Sequence, residues 1–230
     1  MDRPKAAVAP DLLKARAYEQ ILVDIVMGDL AAGAQVDERA LARRYGVGLA
    51  GVRDALARLA LEGLVVRRPR VGTAVAPLDL REIEAAFEVR SLLEGRSAAL
   101  AARNATPADA AAIAAAFHGA EGAVATGDLR ALVAMDRAFH RAVAQASHNP
   151  LLARYLMTLQ NIAARYWVYA MERQPPEDQL ADIALHRDLA RAIAAADEPA
   201  AEAAMARLIG DPPSLTPGAR LRDGAGRALV

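Results

Sequence analysis

The chain of 230 residues has no cysteine, a single tryptophan and only three phenylalanines. Without thiols there are no disulfides, thiolate zinc sites or cysteine nucleophiles, so any metal must take nitrogen or oxygen ligands. No run approaches the roughly 18 uncharged apolar residues that a membrane span needs, and the N-terminus has no unbroken apolar segment of the signal-peptide kind. A cytoplasmic protein with no membrane partner is the expectation. Net charge is missing too, with 28 basic residues against 28 acidic ones. What is present, 54% hydrophobic and 24% charged residues, is the composition of a globular chain long enough for one large or two small domains.

The zero net charge hides a division. Residues 1–76 carry 12 basic and 9 acidic side chains, the remainder 16 and 19, and between Arg39 and Arg70 eight arginines face only Asp54 and Glu62. A small basic module precedes a larger, mildly acidic one. In the first, Tyr18, Ile21, Leu22, Ile25 and Val26 keep helical spacing, predicting a helix over about 12–27. Asp37 is placed to cap a short helix, Glu38 to Tyr45, that Gly46 stops. A third helix runs from about Leu49 to Glu62, with Val52, Leu56 and Leu59 on one face and Gly63 as its left-handed cap. The runs "LVVR" and "TAVA" flank "RPRVG", whose Pro69 and Gly72 suit a hairpin tip. Three helices and a hairpin predict a winged helix-turn-helix over residues 1–76.

From Pro77 the pattern is helical throughout, with Asp79 and Glu82 spaced as a capping box. Helices are expected at about 80–103, 107–125, 128–147, 150–172, 177–196 and 199–209, giving a mainly α chain with an all-helical domain over 77–209. After Gly210, "DPPSLTPGARLRDGAGRALV" reads as a flexible tail over 210–230.

In a helix-turn-helix the second helix of the pair lies in the major groove, its far side packed on the module. Arg53 stands one residue off the packed stripe, where an arginine fork can grip guanine O6 and N7. Arg39 and Arg43 on the preceding helix, and Arg67, Arg68 and Arg70 on the wing, suit phosphates. The bland alternative is that Arg53 pairs with a nearby acid and the basic bias is a solvated face. In the second domain Asp136 and His140 sit four residues apart within the apolar stripe of one helix, and His186 repeats the situation between Ile183 and Ile193. Such groups need a hydrogen bond, an ion pair or a metal when buried, and this donor set suits zinc, nickel, manganese or iron. A metal-free network in which Asp136 and His186 share a proton or a water is the alternative. Arg90 shares an apolar face with Ile83, Phe87, Leu93 and Glu94; it is either a clamp for a carboxylate ligand or a structural partner of Glu94 one turn on. His118 and His148 fall outside this register and read as surface or helix-end residues, while Tyr166, Trp167 and Tyr169 fit either the same cavity or plain core.

The run "LAAGAQVDERALARRYGVGLAGVRDALARLALEGLVVRRPRVGTAV" resembles the winged helix of GntR-type bacterial transcription regulators. The helical remainder is similar to the FCD effector domain of their FadR subfamily, and the resemblance covers roughly residues 15–209. It implies a one-component regulator and not an enzyme: a homodimer whose two heads bind a double-stranded operator, with a small carboxylate effector in the bundle. Such proteins usually carry Ser-Arg-Thr-Pro before "VR"; here Gly48, Leu49, Ala50 and Gly51 stand there, so the usual groove arginine is Leu49, while Arg39 and Arg53 match two others used near bases. Metal-binding FCD domains use D-x-x-x-H, a later histidine and a last one on the final helix; Asp136, His140 and His186 match the first three, and Leu208 stands in the fourth place. Two rivals stay open. One is a metal-dependent enzyme built on Asp136, His140 and His186; the other is an effector-blind or degenerate regulator, suggested by Leu49, Leu208 and the tail.

Overall fold

The computed structural model describes residues 10–210, so the expected tail beyond Gly210 lies outside the described residues. Packing divides the chain at Leu78 and Asp79 into two units. The first contains α1 (Pro10–Val26), α2 (Glu38–Tyr45), α3 (Leu49–Leu61) and a hairpin of β1 (Val65–Arg68) with β2 (Gly72–Val75). Its core follows the apolar periodicity: Tyr18, Ile21, Leu22 and Ile25 of α1 are buried together with Val52, Leu56 and Leu59 of α3, and the two helices pack on each other. Asp37 caps α2 by accepting the Arg39 and Ala40 N–H groups at 2.8 and 3.0 Å. Gly46 ends α2 in the left-handed region at φ 64°. Buried Asp24 accepts the Tyr45 hydroxyl and pairs with Arg44 at 2.9 Å, tying α1 to the end of α2.

The hairpin is antiparallel, pairing Val65 with Val75 and Arg68 with Gly72, and an isolated bridge between Gln35 and Ala74 fastens it to the segment before α2. Pro69 and Gly72 flank the bend as expected, and Arg70 between them is itself left-handed at φ 64°. The second unit contains α4 (Leu80–Asn104), α5 (Pro107–Ala115), α6 (Ala120–Thr126), α7 (Leu129–Ala146), α8 (Pro150–Met171), α9 (Pro176–Ala194) and α10 (Glu198–Ile209). Helix α4 packs on α7, α8 and α10, and α9 packs on α10. Among the described residues no helix is long and apolar enough to cross a membrane.

Two expectations are corrected. Asp79 does cap α4, but through the Arg81 N–H at 2.9 Å; a reciprocal capping box forms instead at Thr106 and Asp109, opening α5. The single helix expected over 107–125 is two, broken around Gly119, which is left-handed at φ 84°. Phe117 lies within the break, buried, with its ring 5.7 Å from that of Phe139 and 4.3 Å from that of His186. Alanine dominates this segment, so few large side chains mark its inner face and Gly119 is the one visible signal of the turn.

The space around two positions in α3 gives opposite expectations. A Cβ at Gly51 would meet nothing within 4 Å, and the residue is helical with no positive φ. Gly51→Ala should therefore stabilise the N-terminal unit by about 1 kcal/mol. Leu56 is fully buried, and Leu56→Ala should cost about 3 kcal/mol. Chemical denaturation of both variants measures the two effects, and a loss of stability on Gly51→Ala would contradict the first.

Candidate nucleic-acid interface and candidate metal centre

In the N-terminal unit, helix α3 turns Val52, Leu56 and Leu59 inward, which leaves Arg53 on the outer face. Its side chain is 61% exposed, and its Nε lies 2.8 Å from Glu38 Oε2 on α2. The pairing with an acid is thus present, on a side chain that is still exposed on the outer face of α3. Arg39 and Arg43 on α2, Arg67 and Arg68 on β1, and Arg70 at the bend are all exposed. The two other arginines of the basic stretch are structural. Arg44 is paired with Asp24, and Arg58 bonds Glu62 at 3.1 Å while covering the Tyr18 ring at 3.7 Å. Leu49 lies in the first turn of α3 at 36% exposure, following Gly48, which offers no side-chain cap.

In the helical unit, Asp136 and His140 come from successive turns of α7 and His186 from α9, all three buried. One potential ligand atom from each lies within 4.8 Å of the other two. His186 Nδ1 lies 2.8 Å from the Asp182 carbonyl oxygen, one turn earlier on α9, so that nitrogen carries the proton and Nε2 presents a lone pair. This Nε2 is buried without a hydrogen-bond partner, 3.5 Å from Asp136 Oδ1. His140 is arranged in the same sense. Glu94 Oε2 stands 2.7 Å from its Nδ1, and its Nε2 lies 3.6 Å from the same Asp136 oxygen. Two imidazoles backed by oxygen acceptors and turned toward one carboxylate oxygen form a donor set suited to a divalent cation.

The groups behind this trio were only partly visible in the sequence. Glu94 was read as a partner of Arg90, and it is, at 2.5 Å, yet the same carboxylate also backs His140. Gln160 of α8, whose Nε2 donates to Asp136 Oδ2 at 3.3 Å, and Asp182 of α9 were missed. Asp182 had a signal in its i, i+4 spacing to His186; Gln160 had none. Gln160, Asp182 and the trio, together with Arg90, Phe87, Trp167, Leu208 and Ile209, line one cavity of about 60 Å³. Arg90 is paired with Glu94, its structural reading, and also lines the cavity. Tyr166 packs edge-on against Phe87 at 6.0 Å, while His118 and His148 are exposed, His148 bonding Asp109 at 3.1 Å.

Burial alone would push the Glu94 carboxyl up, but Arg90 and His140 outweigh it and hold the pKa down to about 2. Asp136 is likewise held at about 2, the His140 charge leading the groups that offset its burial. His140 is shifted upward: Glu94 and Asp136 overcome the burial that would discharge it. A carboxylate whose folded pKa lies below its ordinary 4.5 stabilises the fold above that value, and this stabilisation is lost as pH falls from 4.5 toward 2. Glu94→Gln removes the titration, so the stability advantage of the native chain over this variant should shrink across that window. Urea unfolding at pH 6, 4 and 3 measures it; an advantage that stays constant would contradict the assignment.

Comparison with known proteins agrees with both units. The FCD domain pattern matches residues 85–211, and that of bacterial regulatory proteins of the gntR family matches residues 13–75. The chain is 30% identical over 205 residues to the "Probable D-xylose utilization operon transcriptional repressor" of Paenarthrobacter nicotinovorans, covering 89% of each protein. It is 30% identical over 199 residues to the HTH-type transcriptional regulator LutR of Bacillus subtilis, covering 77% of this chain and 89% of LutR. The solved structure of E. coli McbR/YncC shares the fold, with a TM-score of 0.74 at 24% identity over 86% of this chain and 93% of the other. These relatives are transcription regulators and not enzymes, which removes the enzyme reading of Asp136, His140 and His186. The chain belongs to the GntR family of bacterial transcription regulators, with an FCD domain behind its helix-turn-helix.

Proposed function

We propose that this regulator senses a small organic acid in its helical domain, residues 77–209, and answers by changing how the winged domain, residues 1–76, binds an operator. The observation that carries this reading is the pair of buried Nε2 atoms turned toward Asp136, each backed at Nδ1 by a fixed oxygen. Asp136, His140 and His186 hold a divalent cation, either zinc, nickel, manganese or iron. Bound there, the cation supplies a positive pole for a carboxylate oxygen. Arg90 lines the same cavity and offers a guanidinium to the acid, with Glu94 fixing its orientation. With Leu208 in the place of a fourth protein ligand, coordination positions stay open to the acid itself.

On DNA, Arg53 and Arg39 work near the bases, while Arg43, Arg67, Arg68 and Arg70 bind phosphates. The loss of an arginine at Leu49 leaves each head with few base contacts. A homodimer on a two-fold operator offsets this, because two linked heads gain from effective concentration. A regulator of this kind works in the bacterial cytoplasm, where its DNA is.

The test is a shift assay on the DNA upstream of the protein's own gene, at several salt concentrations, with and without metal and candidate acids, alongside metal analysis by plasma mass spectrometry. Arg53→Ala should reduce the preference for this DNA over random DNA about tenfold, within the 1–3 kcal/mol of a good base contact. Arg67→Ala should weaken both equally and lower the salt slope by about one. The native protein should carry metal that a His140→Ala, His186→Ala double variant lacks. Equal binding of random and upstream DNA would mean a phosphate binder without an operator, and binding unaltered by every metal and acid would mean an effector-blind regulator.

A further inference from the structure

Most polar side chains around the cavity are engaged in pairs; beside the ring nitrogens His186 Nε2 and His140 Nδ1, which make no hydrogen bond, there is one exception among the carboxylates. Arg90 is held by Glu94, Gln160 donates to Asp136, and the histidine rings are backed by Glu94 and by a main-chain carbonyl. The exception is Asp182. Its side chain keeps 23% exposure overall, yet Oδ2 is shut off from solvent and has no hydrogen-bond partner. The nearest proton, on His186 Nδ1, is 3.5 Å away and already committed to the carbonyl of Asp182 itself at 2.8 Å. The apolar part of the wall, Phe87, Ala164, Leu208 and Ile209, has no side-chain donor to offer. A buried carboxylate oxygen without a donor is costly, and the cost is relieved by any occupant that brings one.

We infer that Asp182 determines which acid this cavity accepts, by taking a hydrogen bond from a hydroxyl or ammonium group that the ligand carries beside its carboxylate. The inference rests on the reading that a small carboxylate enters this cavity. Size is compatible with it, since a cavity of about 60 Å³ is well above the minimum for a single water. Charge agrees as well. A plain carboxylate brings a second negative group next to Asp182, whereas a ligand with a neighbouring donor meets it with a proton. Sites that hydrogen-bond a substrate group reject analogues lacking it far more strongly than apolar pockets reject a missing methylene. Substitution at position 182 keeps the main-chain carbonyl that holds His186 Nδ1 at 2.8 Å and removes only the side-chain oxygen 3.5 Å from that nitrogen.

The experiment is calorimetric titration of the full-length protein with propionate and with both enantiomers of 2-hydroxypropionate and 2-aminopropionate, the metal content being measured separately on the same preparation. The native protein should bind one of the donor-bearing acids at least about tenfold more tightly than propionate. Asp182→Ala should abolish that preference, with propionate binding at least as tightly as it binds the native protein because the neighbouring negative group is gone. Asp182→Asn keeps an acceptor oxygen without the charge, so it should retain preference for a hydroxyl and lose preference for an ammonium. All five acids binding the native protein within twofold, or a preference that survives Asp182→Ala, would overturn the inference. So would the absence of binding by any of them, which would also remove the carboxylate reading. Intact, Asp182-dependent preference in protein that carries no metal would leave this inference standing and remove only the metal.

Discussion

Asp136 and the imidazoles of His140 and His186 are buried in a mainly apolar bundle, and the second unit is arranged to offset that burial. Ionised groups lose far more on leaving water than their mutual attraction returns unless each is backed by further partners. Here the backing comes from three helices around the trio. Helix α4 contributes Arg90 and Glu94, α8 contributes Gln160, and α9 contributes a main-chain carbonyl. Glu94 and Asp136, which flank His140, are the groups that hold its pKa above the ordinary imidazole value against burial.

Phe117 makes this centre depend on a second feature of the bundle. Its ring rests on His186 and Phe139 from the turn between α5 and α6. Ile113, Phe117, Ala120 and Val124 are all buried and keep the i, i+4, i+7, i+11 spacing of one helical face, which is why the stretch reads as a single helix in sequence although the left-handed glycine at 119 interrupts it.

Much of this was legible in the sequence where side-chain contrast was high. The N-terminal helices, the hairpin and the packed face of α3 follow from periodicity because Tyr, Ile, Leu and Val alternate with charged residues there. Asp136, His140 and His186 stood out as polar groups within apolar stripes, and they do converge. The break at Gly119 was not legible because alanine is small enough to sit on either face. Gln160 was not legible because a polar side chain at a buried position of α8 looks the same as one at an exposed position. Glu94 was seen with half of its role: spacing along one helix revealed Arg90, but the contact with His140 joins α4 to α7 over 46 positions of sequence.

The Glu38 contact to Arg53 bears on how the winged domain meets DNA. Glu38 takes the guanidinium by its Nε edge, so the edge bearing the two terminal amino groups is the one left to turn outward. Tethering at one side lowers the number of orientations the fork must surrender on docking, a saving that counts for more when no second arginine shares the helix turn. The tether is itself an anion, so the field at this spot attracts a further anion less than an unpaired arginine would.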